Sequence, residues 1–497
     1  MKNFRFSIFD FRMFGKLKTF ALLVVANCLL ITSAMAVPPN FPPIKPLELK
    51  IPQAKRFELS NRLIVYLIED HELPQVQMTA LLRTGSIYDP EDKIGLSQIF
   101  AAVLPYGGTK TLDPDAVTKE LELIGSSISA GSGAESLSVS LFSLTKNLAK
   151  TFAIYSEILR EPRLDAKKLD VEKQKTIGAI ARRNDEPRSI ARREFSRMLY
   201  GAHSPWGRRV ETRTIEAITR KDLLAFHLRY TLPNNTMLIV SGDIDEKSLK
   251  EMLDKSLGEG VWATGPLQLP PLENVTPKTE RLVYLVEKPE AEQSAIRIGH
   301  FGIQRNSPDY FAFTIMNEIL GGGFSSRLFR NVRSRKALAY AVGSGFTEPR
   351  DWGIFYAGIG TKAPSTYQAI DEVLNEIQTL KDEAPEGEEV ELAKNQLINS
   401  YVQNFSNSHQ SAMEIANVEF FDHPKDWLEN YTANLSKVTK EDIIRVAKKY
   451  LNPEQAVILV VGNPKKFDRN LSTLGKIVLL DPEKGTIIES AKQKTSN

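Results

Sequence analysis

The side chains able to do chemistry are few, and their spacing restricts what they can do together. The histidines are His71, His203, His227, His300, His409 and His423. No two lie within five residues, so no helix presents a His-x3-His pair to a metal ion. Cys28 is the only cysteine and no Gly-x-Ser-x-Gly elbow occurs, which argues against an autonomous hydrolase with a thiol or serine nucleophile of those kinds. Gly321-Gly322-Gly323-Phe324 is followed by Ser325-Ser326-Arg327-Leu328-Phe329, then Arg333, then Ala337-Leu338-Ala339-Tyr340. The triple glycine is not a phosphate loop, because no Gly-Lys-Ser/Thr follows it; it suits a tight turn or a close backbone approach. Taken alone, Arg333 and Tyr340 are two residues seven apart that would share a helical face, among the solvated bases Arg327, Arg330, Arg335 and Lys336.

The elements that must carry these residues are written twice. Ile218-Thr219-Arg220-Lys221-Asp222-Leu223-Leu224 is echoed by Val438-Thr439-Lys440-Glu441-Asp442-Ile443-Ile444. Tyr230, Pro233, Val240 and Gly242 recur as Tyr450, Pro453, Val460 and Gly462, all at a constant offset of 220. Each copy predicts a threonine N-cap, an amphipathic helix, a proline stop and a buried strand ending at glycine. The start of each half agrees: strands are expected over Arg62–Ile68 and Val76–Leu82, and again over Leu282–Val286 and Ala295–Ile298. A helix follows in each half, Gly95–Leu104 and Asp309–Leu320, and further amphipathic helices are expected over Asp165–Arg183 and Pro364–Leu380. The fold class is therefore α+β: two homologous domains, each a mixed, mainly antiparallel sheet packed with helices.

Proline-rich stretches mark the boundaries, since dense prolines continue neither a helix nor a central strand. The expected organisation is a signal peptide at 1–36, a linker at 37–50, an N-terminal domain at 51–264, a second linker at 265–280, a C-terminal domain at 281–489 and a polar tail at 490–497. The leader combines Lys2, Arg5, Arg12, Lys16 and Lys18 with the apolar run Thr19–Ile31 and the small-x-small site Ala34-Met35-Ala36. Cleavage near Ala36 would export the chain, most simply to the periplasm, without a stable membrane span. It would also remove Cys28 and take the net charge from +3 to about −1. Nothing in that balance suggests nucleic acid. Hydrophobic residues at 42% and charged residues at 25% are ordinary for a chain that buries its own core.

Several motifs in order resemble the insulinase/pitrilysin (inverzincin) peptidase family over nearly all of the expected mature chain. They are Arg83-Thr84-Gly85-Ser86, Gly95-Leu96-Ser97, Gly108-Thr109, Asp185-Glu186-Pro187, His203-Ser204-Pro205-Trp206-Gly207-Arg208, Ile218-Thr219 and the glycine-rich segment with Arg333 and Tyr340. Between Gly95-Leu96-Ser97 and Gly108-Thr109 the family carries His-x-x-Glu-His, two zinc ligands one helical turn apart with a general base between them. Here the same places hold Gln98-Ile99-Phe100-Ala101-Ala102. The family's third ligand is a glutamate seven positions after another; Glu172 keeps the earlier position and Ala179 stands at the ligand. An alanine methyl offers no lone pair, and the Gln98 amide oxygen is neutral and a weak zinc ligand.

By the resemblance, this is a zinc-less subunit, similar to the non-zinc chain of two-chain bacterial members and to mitochondrial-processing-peptidase-like proteins. Arg333 and Tyr340 would be its catalytic residues, facing a zinc held by a partner chain and stabilising the carbonyl oxygen as charge builds there. Gly321, Gly322, Gly323 and Phe324 would bind substrate, and this chain itself would bind no metal. The expected partners are a homologous subunit with His-x-x-Glu-His and peptide substrates, which the family binds as an added strand on a sheet edge. Ala80–Gly85 and Ala341–Phe346 are the segments expected to offer such an edge. The competing expectation is an inert scaffold or peptide-binding protein of the same fold.

Overall fold

A computed structural model describes residues 49–488 apart from 272–274, 277, 279 and 352. The expected signal peptide, nearly all of the first linker and the tail lie outside the described residues, and part of the second linker does too.

The strands of the first half are β1 (Lys55–Glu58), β2 (Ile64–Glu69), β3 (Gln75–Leu82), β4 (Ser127–Ser132), β5 (Leu137–Leu144) and β6 (Thr236–Gly242). They form one sheet in the order β1-β2-β6-β3-β5-β4, in which only β2 and β6 run parallel. The second half supplies β7 (Leu282–Glu287), β8 (Gln293–Phe301), β9 (Ala341–Phe346), β10 (Ile354–Lys362), β11 (Val457–Gly462), β12 (Lys476–Asp481) and β13 (Thr486–Ile488). Its order is β13-β12-β7-β11-β8-β10-β9, with β11 and β12 both parallel to β7. The five-strand core β7-β11-β8-β10-β9 therefore repeats β2-β6-β3-β5-β4.

The helices of the first half are α1 (Leu96–Val103), α2 (Pro114–Leu123), α3 (Leu148–Arg160), α4 (Ala166–Ala181), α5 (Pro187–Tyr200), α6 (Thr212–Glu216), α7 (Arg220–Tyr230) and α8 (Glu246–Leu257). Those of the second are α9 (Tyr310–Asn317), α10 (Thr366–Asp382), α11 (Gly387–Gln403), α12 (Ser408–Phe420), α13 (Trp427–Lys437) and α14 (Lys440–Tyr450). The duplicated signature gives α7 and α14. Thr219 and Thr439 each form a capping box with the aspartate three residues on, Asp222 and Asp442. The proline stops lead into β6 and β11, whose side chains are almost wholly buried.

One face of each sheet packs on its own helices. The first core joins Met78, Ile99, Phe100, Phe152, Tyr155 and Phe226; the second joins Ile298, Phe313, Phe355, Ile370 and Ile443. The other face is covered by a helix from the opposite half. α5 lies on β8 and β11, burying Ile190, Ala191 and Phe195 against Val457, Leu459 and Val461. α12 lies on β2 and β6, burying Ala412, Ala416 and Phe420 against Tyr66, Met237 and Ile239. The two helices start at Pro187 and Ser408, separated by nearly the repeat offset, so the exchange is reciprocal. Among the described residues no helix is long and apolar enough to cross a membrane.

Candidate functional site

α1 begins at Gly95, whose φ of 104° is a left-handed conformation that glycine tolerates. Asp89 caps the turn: its carboxylate accepts from the backbone N–H of Gly95 at 2.8 Å and of Ser97 at 2.9 Å. Burial pushes the Asp89 carboxyl up to about 6 against the pull of those bonds. Ile99, Phe100 and Val103 hold the inner face of α1 in the first core. Gln98 is exposed and Ala102 partly so, one turn apart on the outer side, while Ala101 is buried. α1 packs against α4, which carries Ala179 exposed and Glu172 bridged to Lys175 at 2.6 Å. The two helices that carry these positions are thus in contact, but the side chains at them do not fit zinc. Three of the four side chains are methyl groups, and among the described residues no group of three or more His, Cys, Asp or Glu could hold a metal ion.

The glycine-rich segment has a different geometry from the single helix its spacing suggests. After α9 the chain widens into a π-helical turn over Glu318–Gly322, and a second π-helical segment runs over Phe329–Arg335. Such turns are rare and concentrate at functional sites. Gly321 is required here, because a Cβ would overlap the backbone nitrogen of Ser344 in β9. Phe324 stands 80% exposed at the tip and meets Phe329 edge-on at 5.1 Å. The Arg333 guanidinium lies 4.6 Å from the centre of the same Phe329 ring. The π-helical segment then ends, and Ala337 takes a positive φ of 50°. Tyr340 enters the sheet, its N–H donating to the Gly360 carbonyl at 3.0 Å. Arg333 and Tyr340 consequently do not share a helical face. Both are exposed, Tyr340 at 40%, and each has its own support: Phe329 under Arg333, and bare Gly360 under the Tyr340 ring, where a Cβ would sit 2.7 Å from Cζ.

Two family models match the chain: "Insulinase (Peptidase family M16)" over residues 64–205 and "Peptidase M16 inactive domain" over residues 217–397. The chain belongs to the insulinase family. An uncharacterized zinc protease of Bacillus subtilis is 24% identical over 410 residues, 82% of this chain and 98% of its own length. Another from Rickettsia bellii is 25% identical over 346 residues, 68% of this chain and 81% of its own. Among solved structures, a peptidase M16 inactive domain from Pseudomonas fluorescens superposes with a TM-score of 0.74 at 23% identity, covering 82% of this chain and 98% of that one. A protease from Helicobacter pylori gives 0.74 at 18% identity, covering 82% and 99%. These likenesses establish a two-domain insulinase-type fold.

Within that insulinase fold the two expected docking edges separate. β9, Ala341–Phe346, pairs only with β10 and is an edge. β3 is not: it lies between β5 and β6, so the Ala80–Gly85 expectation is corrected, and the edges of the first sheet are β1 and β4, of which β4 corresponds to β9. The residue spacing could not show this, because β6 arrives more than 150 residues after β3.

Two surroundings were not visible in the sequence. A cleft of about 960 Å³ beside the C-terminal end of α4 is lined by Ile94, Ala181, Arg183, Arg197, His203 and Arg209 among others. Behind it the buried Glu194 carboxylate accepts from Arg193 at 2.7 Å and Arg209 at 3.2 Å, which makes much of this basic wall structural. A smaller cavity of about 290 Å³ opens on the second sheet between β9, β10 and α5. It is lined by Arg188 and Arg297, and the Arg188 guanidinium lies 5.1 Å from the centre of the Tyr340 ring. No motif contains these arginines; the register of β8 against β10 brings Arg297, and the packing of α5 on the sheet brings Arg188, to the face that Tyr340 occupies.

Proposed function

We propose that this chain is the zinc-free subunit of an exported, two-chain metallopeptidase that cleaves peptides or unfolded proteins. A homologous partner would carry His-x-x-Glu-His and the zinc. This chain would contribute Arg333, Tyr340 and part of the chamber wall. The observation that carries this reading is the contrast between the two motifs. The metal positions are Gln98, Ala101, Ala102 and Ala179, yet Arg333 and Tyr340 stand exposed, each on a dedicated support. Among the described residues the Arg333 guanidinium has no acidic partner, which leaves it free to meet a developing oxyanion across an interface. The naming of curated relatives as zinc proteases supports peptidase chemistry in the assembled enzyme.

The open edge of β9 favours a second reading, an inert scaffold or peptide-binding protein. The two separate in one experiment. Tagged chain is recovered from its native extract and co-purifying proteins are identified. The complex is then assayed with an internally quenched peptide, as wild type and as Arg333→Ala. The subunit reading expects a near-stoichiometric His-x-x-Glu-His homologue and a drop in kcat of about 100-fold or more, the usual size for loss of one oxyanion donor. Full activity in the Arg333→Ala complex would refute it.

A further inference from the structure

The two sheets carry one rung in the same register, and its chemistry differs between halves. In the first sheet Tyr66, Ile239, Thr79, Ser140 and Ser129 pair directly across β2, β6, β3, β5 and β4. In the second, Tyr284, Leu459, Arg297, Gly358 and Gly343 pair across β7, β11, β8, β10 and β9. Ile239 and Leu459 are separated by the repeat offset, so the rungs are equivalent positions. The first rung is filled and neutral: Thr79 Oγ1 bonds Ser140 Oγ and His409 Nε2, each at 3.0 Å. The second is hollow and cationic.

Its hollow is the cavity of about 290 Å³ lined by Arg188, Arg297, Ala295, Gly343, Gly358 and Gly360, with no acidic residue in its lining. α5 packs chiefly on β8 and β11, and beyond it Gly343, Tyr356 and Gly358 of β9 and β10 are only half-buried. Gly358 and Gly360 lie on one face of β10. A Cβ at Gly358 would come within 3.4 Å of Arg297 Nη1, so the guanidinium lies along the glycine backbone. Arg297 is stacked 4.4 Å from the centre of the Tyr356 ring and Arg188 stands over Tyr340. Neither arginine has an ion-pair or hydrogen-bond partner for its guanidinium among the described residues. Two aromatic-stacked guanidiniums around one hollow suit a planar anion of carboxylate size, which arginine binds through paired N–H donors. The hollow adjoins the open edge of β9, where an added strand would lie about 4.8 Å out and point alternate side chains over the glycines.

We infer that this cavity binds a carboxylate carried by an extended peptide, either an acidic side chain or the C-terminal carboxylate. The inference rests on the proposed peptide handling for the identity of the carrier alone. Binding belongs to this chain, so it is measured without a partner subunit. The probes are three fluorescent nonapeptides: one with a central glutamate and an amidated C-terminus, its glutamine counterpart, and that counterpart with a free C-terminal carboxylate. Fluorescence anisotropy with the full chain should show at least one acid-bearing peptide binding about tenfold or more tighter than the neutral one. Whichever acid is preferred identifies the carboxylate.

The double substitution R297T/G358S, which rebuilds the Thr79–Ser140 rung already accommodated in the first half, should abolish the preference. Arg297→Lys should retain part of it, and Arg188→Gln, an exposed change, should weaken it without affecting folding. Equal binding of acidic and neutral peptides, no binding of any, or a preference that survives both R297T/G358S and Arg188→Gln would overturn the inference. The subunit reading fails separately, by the absence of a zinc-bearing partner or by an active Arg333→Ala complex.

Discussion

His409 is held between two strands by its two ring nitrogens, one 3.0 Å from Thr79 Oγ1 and the other 3.0 Å from Ser241 Oγ. It belongs to α12, from the second half, while both hydroxyls belong to the first sheet. Burial holds the imidazole down to about 4, so it is neutral in the fold. The unfolded chain therefore takes up the proton first as pH falls below about 6.5, and stability present above that value is lost down to about 4. The loss should reach on the order of 3 kcal/mol at pH 4. His300, also lowered to about 4, acts in the same direction, and Glu348, raised to about 7 by burial, acts in the opposite one. His409→Gln keeps a polar partner for the hydroxyls and removes only the titration. Urea midpoints between pH 4 and 7 should thus give a flatter curve for the variant than for wild type; parallel curves would mean that His409 does not titrate as described. At this scale the sequence displays missing donors well, because Ala101, Ala102 and Ala179 lack a function whatever surrounds them. It displays Arg297 poorly, because an arginine on a strand acquires meaning only from the Gly358 beside it.

The glycine-rich segment and β9 work as one element. Gly321 touches Ser344, and the Ser344 hydroxyl donates to Asn317 Oδ1 at 2.8 Å, so the π-helical turn is fixed to the edge strand. Gly321→Ala should separate them at a cost of about 1–3 kcal/mol, the range for overpacking a tight contact. In the assembled complex it should lower activity through displaced Tyr340, whereas Gly178→Ala, in open space inside α4, should leave activity unchanged and raise stability by about 0.5–1 kcal/mol. Thermal melts and peptide turnover of the two variants check this. Capped helices, buried strands and the duplicated α7–β6 and α14–β11 pairs were legible in the sequence because their signals are local. The π-helical widening was not, since residue spacing around a helix resembles residue spacing around a π-turn until a strand packs against it. The interior position of β3 was hidden for the same reason of distance.

The reciprocal exchange of α5 and α12 makes the two halves one structural unit, although the chain is written as two domains. Ala416 and Phe420 are buried on the first sheet, and Glu419 of the same helix pairs with Arg56 at 2.7 Å and accepts from the Tyr66 hydroxyl at 2.6 Å. In return, Arg209, 7% exposed, donates to the Pro482 and Glu483 carbonyls, each at 2.9 Å, and Arg197 to the Gly485 carbonyl at 3.2 Å. If one half unfolded alone, it would withdraw the helix covering the other and expose a sheet face of Ile, Leu and Val. At roughly 25 cal/mol per Å² of apolar surface, that exposure is too costly for a folded half to persist. Unfolding should therefore be a single transition despite the length of the chain. Trp262 reports on the first core and Trp427 packs against the second, so variants retaining only one of these tryptophans read the halves separately. Their fluorescence transitions in urea should coincide in midpoint and slope. Ala416→Glu, which places a carboxylate under α12, should lower both midpoints together, by the several kcal/mol that burying an unpaired charge costs. A shift confined to Trp262 would show that the halves fold independently and that the exchanged helices are ornaments on two autonomous domains.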